Sequence, residues 1–136
     1  MFSQICEQRR KYVAIIDDES DLVRLFSDAL EVGGFETRGF DDPLKALEHL
    51  YTHHSEYSFV LSDIRMPGID GFQLTKLIHQ TDREIKIICM SAFEFYDSDL
   101  KATLIDEFMK KPIHITDLIN VIKKHLHAAQ CKVSTV

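Results

Sequence analysis

Short apolar runs alternate with amphipathic stretches along most of the chain. The first run, from Tyr12 to Ile16, is continuous and rich in β-branched residues, which is typical of a strand buried on both faces. After it, apolar side chains recur at helical spacing until Gly33 and Gly34 end the pattern. The apolar positions of this predicted helix are Leu22, Leu25, Phe26, Ala29 and Leu30. The first two predicted elements are therefore a strand followed by a helix.

The alternation continues through four more strand–helix pairs. The further strands are predicted over 35–40, 57–62, 85–90 and 107–110. Asp42 and Pro43 supply an N-cap and a first helical residue for the second helix. Further helices are predicted after the loop that contains Pro67, over 94–104, and from about His114. The last helix has the strongest pattern, with an apolar stripe formed by Ile115, Leu118, Ile119, Ile122 and Leu126.

Five such pairs predict an α/β fold in which a doubly wound, five-stranded parallel sheet carries five helices on its two faces. The short and more polar fifth strand is expected at an edge of the sheet. One domain is expected over 11–128, between an N-terminal extension over 1–10 and a flexible C-terminal tail over 129–136.

The composition limits the kinds of partner and the cellular location that are expected for the chain. The 136 residues include 16 Lys and Arg against 22 Asp and Glu, a net charge of -6 at pH 7, which gives no electrostatic indication of direct nucleic-acid binding. No apolar run approaches the roughly 18 residues of a membrane span, so no membrane insertion is expected. The three cysteines show neither disulfide nor metal-ligand spacing, and a cytoplasmic protein is predicted.

Five polar residues directly follow predicted strands. Asp17 and Asp18 follow the first strand, Asp63 the third, Ser91 the fourth and Lys111 the fifth. Because functional groups of such sheets gather beyond the carboxyl ends of the strands, these side chains are expected at one edge. Three carboxylates close together repel one another, and this is expected to raise at least one carboxyl pKa. An all-oxygen ligand set with open positions favours Mg²⁺.

The same residue types suit phosphoryl chemistry. A carboxylate can attack phosphorus and form an acyl phosphate. Such transfer depends on in-line geometry and charge neutralisation more than on acid–base catalysis. Mg²⁺ would neutralise one side of the phosphoryl group, Lys111 would supply a point charge on another, and Ser91 would donate a hydrogen bond.

Four segments combine into a specific pattern. They are Ile16-Asp17-Asp18-Glu19, Leu61-Ser62-Asp63-Ile64-Arg65-Met66-Pro67-Gly68-Ile69-Asp70-Gly71, Met90-Ser91-Ala92 and Lys110-Lys111-Pro112. With these motifs the chain resembles the stand-alone receiver domains of response regulators in two-component signalling, from about Lys11 to Leu126. The resemblance implies a flavodoxin-like sheet with strand order 2-1-3-4-5.

The resemblance also implies roles for individual residues. Asp63 would be the phosphoacceptor. Asp18 and Asp63 would bind Mg²⁺ directly, together with the backbone carbonyl of Arg65, whereas Asp17 would act mainly through water.

On the phosphoryl side, the resemblance implies that Ser91 and Lys111 contact the phosphoryl oxygens. Ser91 and Phe108 would form a switch that moves on phosphorylation. Arg65 and Phe93 are further expected to set the phosphoryl lifetime by controlling water access.

The function implied is that of a phosphoacceptor protein with self-phosphotransfer and slow autodephosphorylation, and not of an enzyme. A sensor histidine kinase would be the donor, and a downstream protein or a phosphotransfer protein of a phosphorelay the recipient of the signal. A dimer that forms on phosphorylation is one further output. Two alternatives stay open: a receiver-like binding module that works without phosphate, and an aspartyl-phosphate phosphatase. Arg65 stands where such phosphatases commonly have a second aspartate, which disfavours the last alternative.

Overall fold

The structure is a computed structural model that describes residues 10–92 and 104–134, with side chains up to Leu126. The strands are β1 (Tyr12–Ile16), β2 (Glu36–Phe40), β3 (Tyr57–Asp63), β4 (Lys86–Ser91) and β5 (Glu107–Lys110). The helices are α1 (Ser20–Val32), α2 (Pro43–His53), α3 (Gly71–Thr81) and α4 (Ile115–Ser134), and a 3₁₀ turn covers His54–Glu56. The elements alternate as the hydrophobic pattern predicts.

All strand pairs are parallel, and the sheet order is β2-β1-β3-β4-β5, which confirms the predicted topology. Ile16 at the end of β1 lies opposite Phe40 of β2 and Ser62 of β3. Asp63 lies opposite Met90, and Ser91 lies opposite Lys110. The carboxyl ends of the strands therefore meet at one edge of the sheet.

The core lies on both faces of the sheet because alternate strand residues point to opposite sides. One face packs α2 and α3 against the strands, and its buried helical residues are Ala46, Leu50, Leu74 and Ile78. The other face packs α1 and α4 against the strands, through Phe26, Leu30, Leu118 and Ile122. The central strands are thus buried on both sides, as their continuous apolar runs predict.

Two aspartates fix where α2 and α3 begin. Asp42 accepts the N–H of Leu44 at 2.9 Å, with Pro43 as the first helical residue, which confirms the predicted start of α2. Asp70 accepts the N–H of Gln73 at 2.8 Å, and the side chain of Gln73 accepts the N–H of Asp70 at 3.5 Å. This capping box satisfies helix-end donors that would otherwise lack partners, and it fixes where α3 begins.

The ends of the chain differ from the sequence expectations. Helix α4 continues to Ser134, so most of the predicted tail over 129–136 is helical. The apolar stripe stops at Leu126, but Ala, Gln and Lys follow, and these residues favour a helix without any apolar face.

Arg10, assigned to the N-terminal extension, is attached to the domain. Its guanidinium lies 2.9 Å from an Asp82 carboxylate oxygen and donates to the Tyr57 carbonyl at 3.2 Å.

The helix predicted over 94–104 falls almost wholly outside the described residues, and four α-helices are present in the described part of the chain. None of these described helices combines the length and the apolar character needed to cross a membrane.

Candidate functional site

Asp17 lies immediately after β1, where its own N–H donates to the Phe40 carbonyl at 3.1 Å. The residue is fully buried. Its Oδ1 accepts the N–H of Glu19 at 3.0 Å, whereas its Oδ2 is buried without a hydrogen-bond partner. Buried carboxylate oxygens without such a partner are rare in folded proteins. This oxygen therefore indicates a site that is completed by a ligand.

Asp18 and Asp63 complete an acidic cluster with Asp17. One oxygen of each carboxylate lies within 4.8 Å of the other two. Asp18 is exposed, and the Asp63 side chain is 13% exposed, so the cluster opens to solvent on one side. Asp63 Oδ1 also accepts the N–H of Ile64 at 3.0 Å, which orients this carboxylate.

Lys111 supplies the positive charge at this edge. Its Nζ lies 3.4 Å from Asp63 Oδ1 and 3.7 Å from Asp17 Oδ2. The backbone places it there, because the Lys111 N–H donates to the Ser91 carbonyl at 2.8 Å directly after β5. One ammonium group therefore lies beside two of the three carboxylates, and the cluster keeps an excess of negative charge.

Burial raises the pKa of the Asp17 carboxyl above its ordinary value. The Glu19 N–H and the Lys111 ammonium act in the opposite direction, and the charges of Asp63 and Asp18 add to the increase. A raised carboxyl pKa in the cluster confirms the sequence prediction, although desolvation contributes more than like charge. The Asp17 oxygen without a hydrogen bond, the excess negative charge and the all-oxygen donor set fit a hard divalent cation, and the three carboxylates could hold one.

The other predicted residues lie at or near the same edge. Ser91 is buried at the end of β4. Arg65 is exposed, two residues beyond Asp63 in the loop that leads to α3. Phe108 lies opposite Cys89 and is partly buried against the core on the α2 and α3 side. Phe93 lies outside the described residues.

Sequence reasoning missed two features of the site. The first is the Glu19 amide on Asp17, which is a backbone group and leaves no residue-type signal. The second is the anchoring of the loop after Asp63. Its apolar residues are buried: Ile64, Met66 and Ile69. Spaced apolar residues within a Pro- and Gly-containing loop are the signal that could have indicated it.

The fold and this site match a known class of signalling protein. The family model of the response regulator receiver domain matches residues 13–123. The chain therefore belongs to the response regulator receiver domain family.

Two curated relatives are similar to the chain over nearly their whole length. The response regulator receiver protein CpdR of Brucella abortus (strain 2308) is 32% identical over 121 residues, which cover 88% of this chain and 99% of the relative. The polar-differentiation response regulator DivK of Brucella ovis is 29% identical over 120 residues, covering 85% of this chain and 96% of the relative.

Solved structures show the same fold. The response regulator protein TrrA from Thermotoga maritima, crystallised in complex with Mg(2+)-BeF, has a TM-score of 0.75 and 30% identity over 84% of this chain and 97% of that chain. A CheY-like receiver domain protein from Methanospirillum hungatei has a TM-score of 0.81 and 22% identity, covering 90% of this chain and 98% of that chain.

Proposed function

We propose that Asp63 accepts a phosphoryl group from a sensor histidine kinase in an Mg²⁺-dependent reaction, and that the phosphorylated chain changes its protein partners. One observation carries the proposal: three carboxylates gather within 4.8 Å of one another, and the Lys111 ammonium lies 3.4 Å from Asp63. This arrangement provides a nucleophile, a place for a cation and a fixed positive charge at a single edge of the sheet.

Asp18 and Asp63 are the direct metal ligands in this proposal, with the backbone carbonyl of Arg65. Asp17 acts mainly through water, as the resemblance to receiver domains implies. When bound, Mg²⁺ neutralises charge on the phosphoryl oxygens and helps to orient them. TrrA, a relative of 30% identity, was crystallised with Mg(2+)-BeF, which supports the metal and the phosphoryl site together.

In the transfer step, an oxygen of the Asp63 carboxylate forms a bond to phosphorus while the bond between phosphorus and the donor imidazole nitrogen breaks. Lys111 stabilises the charge on the phosphoryl oxygens, since its ammonium already faces Asp63. Ser91 donates a hydrogen bond to another phosphoryl oxygen. The product is an acyl phosphate on Asp63. The donor leaves as a neutral imidazole, because the bonding electrons stay on the nitrogen that leaves phosphorus and the other ring nitrogen keeps its proton.

The signal leaves the site through Ser91 and Phe108. Phosphorylation adds about -1.5 to -2 charge, and Ser91 moves toward it. Phe108 has no hydroxyl group to desolvate, so its ring turns inward readily when Ser91 moves. The surface around β5 and α4 then changes for a downstream protein, a phosphotransfer protein or a second copy of the chain.

The decisive experiment is incubation with acetyl phosphate and Mg²⁺, followed by intact-mass measurement. The wild type should gain one phosphoryl mass, and Asp63→Asn should gain none. Asp41→Asn is the control, because it removes the same charge from an exposed aspartate that directly follows β2. Phosphorylation that persists in Asp63→Asn would contradict the assignment.

The same experiment separates the two alternatives. A wild type that never takes up the phosphoryl group would instead be a binding module that works without phosphate. Rapid multiple turnover of the phosphodonor would indicate a phosphatase. The family is one of signalling modules, and we expect a stable acyl phosphate with slow loss.

A further inference from the structure

The N-terminus of α3 lies against the proposed phosphoacceptor, and Gly71 forms this contact. A Cβ atom at Gly71 would lie 2.8 Å from the Ile64 Cα and 2.9 Å from the Asp63 carbonyl oxygen. Both are backbone atoms next to rigid β3, so no side chain can turn away to make room. Among the described glycines, positive φ angles occur at Gly34 and Gly68 but not at Gly71. Glycine is therefore needed at position 71 because there is no space for a side chain, and not because of its backbone angles.

A short chain of hydrogen bonds connects Gly71 to the Asp63 carboxylate. The Gly71 N–H donates to the Ile64 carbonyl at 2.7 Å. The Ile64 N–H in turn is shared between the Met90 carbonyl and Asp63 Oδ1, each at 3.0 Å. A displacement of Ile64 therefore moves the group that orients the Asp63 carboxylate.

We propose that Gly71 is a positioning residue for the metal and phosphoryl site. Its missing side chain lets α3 approach closely enough to hold Ile64, and Ile64 holds the Asp63 carboxylate in its ligand orientation before any ligand binds. The capping box of Asp70 and Gln73 fixes the same helix start from the other side. This inference rests on the proposed function, because it concerns the same site.

The test is Gly71→Ala, with Gly39→Ala as the matched control. A Cβ at Gly39 would lie 2.3 Å from Val23 Cγ1, which is the end of a side chain and not a backbone atom. Both variants introduce one methyl group into a space that is too small. In Gly39→Ala the clash can be removed by adding Val23→Ala, whereas no side-chain truncation removes the backbone clash at Gly71.

Gly71→Ala is expected to weaken Mg²⁺ binding about tenfold, the lower end of the effect of disturbing groups that orient metal ligands. Acetyl phosphate labelling should need correspondingly more Mg²⁺ for its half-maximal rate. In EDTA, without any metal, the NMR shifts of the Ile64 amide and the Asp63 carboxyl should move. Gly39→Ala should change neither the Mg²⁺ affinity nor these two shifts.

A second pair of variants covers the case in which Gly71→Ala does not fold. Asp70→Ala removes the cap of α3 and loosens the same contact, and Asp42→Ala removes the equivalent cap of α2. Weaker Mg²⁺ binding in Asp70→Ala, with unchanged binding in Asp42→Ala, supports the proposal. Equal Mg²⁺ affinity in wild type, Gly71→Ala and Asp70→Ala overturns it. A wild type that binds no Mg²⁺ would overturn the proposed function itself, so the two failures are distinguishable.

Discussion

Replacing Asp17 by Asn should stabilise the metal-free protein at neutral pH. The substitution keeps the shape of the side chain and an oxygen that can accept the Glu19 N–H. It removes one negative charge from a cluster of three carboxylates, two of which lie beside a single ammonium. It also replaces the buried Oδ2, which lacks a hydrogen-bond partner, by a neutral amide group, and so removes the ion pair of this oxygen with Lys111.

The magnitude follows from burial, because the interactions with neighbouring charges nearly cancel. Two unit charges 4.8 Å apart, the upper limit for these oxygens, interact by about 0.9 kcal/mol in water and by about 3.5 kcal/mol at an effective dielectric of 20. At the same dielectric, Lys111 at 3.7 Å attracts Asp17 by about 4.5 kcal/mol, which cancels the repulsion from Asp63, while the exposed Asp18 lies near the low value. The gain therefore comes from removing a buried charged group, and burial is the main cause of its raised pKa. We expect about 1–2 kcal/mol, within the usual cost of a buried polar atom that lacks a hydrogen bond, which corresponds to a Tm increase of about 3–8 °C for a domain of this size.

The pH dependence has an unusual sign for an aspartate. Burial raises the pKa of Asp17 in the folded state above the unfolded value of about 3.9, so the charged form opposes folding. As the pH falls through the raised pKa, the folded protein takes up a proton and this cost disappears. The advantage of Asp17→Asn should therefore shrink in that window and be absent below about pH 3.9.

The assay is urea unfolding of wild type and Asp17→Asn in EDTA, at pH 7 and at several lower values. Asp41→Asn serves as the control, because it removes one charge from the exposed surface after β2. Saturating Mg²⁺ should reduce the advantage, because the cation stabilises the wild type by mass action. An Asp17→Asn protein that is less stable than wild type at pH 7, or equally stabilised at every pH, would refute the reasoning.

Three further results are expected. Lys111→Met should tighten Mg²⁺ binding about fivefold, equivalent to about 1 kcal/mol, because it removes a competing positive charge 3.4 Å from Asp63. Titration calorimetry measures this affinity, and an equal increase in Lys110→Met would contradict the explanation. Asp82→Ala should lower the free energy of unfolding by about 1–3 kcal/mol, because the side chains of Arg10 and His54 both lose their acceptor. A urea midpoint equal to that of the wild type would show that these contacts do not stabilise the fold. Burial, followed by the charges of His53 and Arg38, lowers the pKa of His49 in the folded protein. The free energy of unfolding should therefore fall as the pH drops below about 6.5, because the folded protein holds His49 in its neutral form. His49→Gln should flatten this part of the plot of unfolding free energy against pH, and a plot identical to that of the wild type would contradict the prediction.

The alternation of elements was predictable because this sheet buries both faces of its central strands. The runs that predict β1 and β3 are apolar for that reason, and their carboxyl ends then place Asp17, Asp18 and Asp63 together. The strand order came from the resemblance, since hydrophobic periodicity does not specify which strands are neighbours. The helical end of α4 was missed because helix propensity continues there after the apolar stripe has ended at Leu126.

The contacts that the sequence could not predict depend on distances between backbone segments. Gly71 reads in the sequence as a loop glycine, and only the approach of α3 to Ile64 shows that a side chain has no space there. The sequence also gives no sign that one Asp17 oxygen lacks a hydrogen bond, because this depends on which backbone amides point toward the carboxylate in the turn after β1.

The neighbouring aspartates after β1 differ in environment because the chain bends toward the surface at Asp18. Asp17 continues the buried course of β1 and is fully enclosed, whereas Asp18 already belongs to the exposed turn that leads to α1. A buried carboxylate with one oxygen held by the Glu19 amide is fixed in place and costly to ionise. An exposed one can turn toward a cation at little cost. Two adjacent residues of the same type are therefore suited to different tasks: Asp17 makes the metal-free site unfavourable, and in the proposed metal site Asp18 turns toward the cation that relieves it.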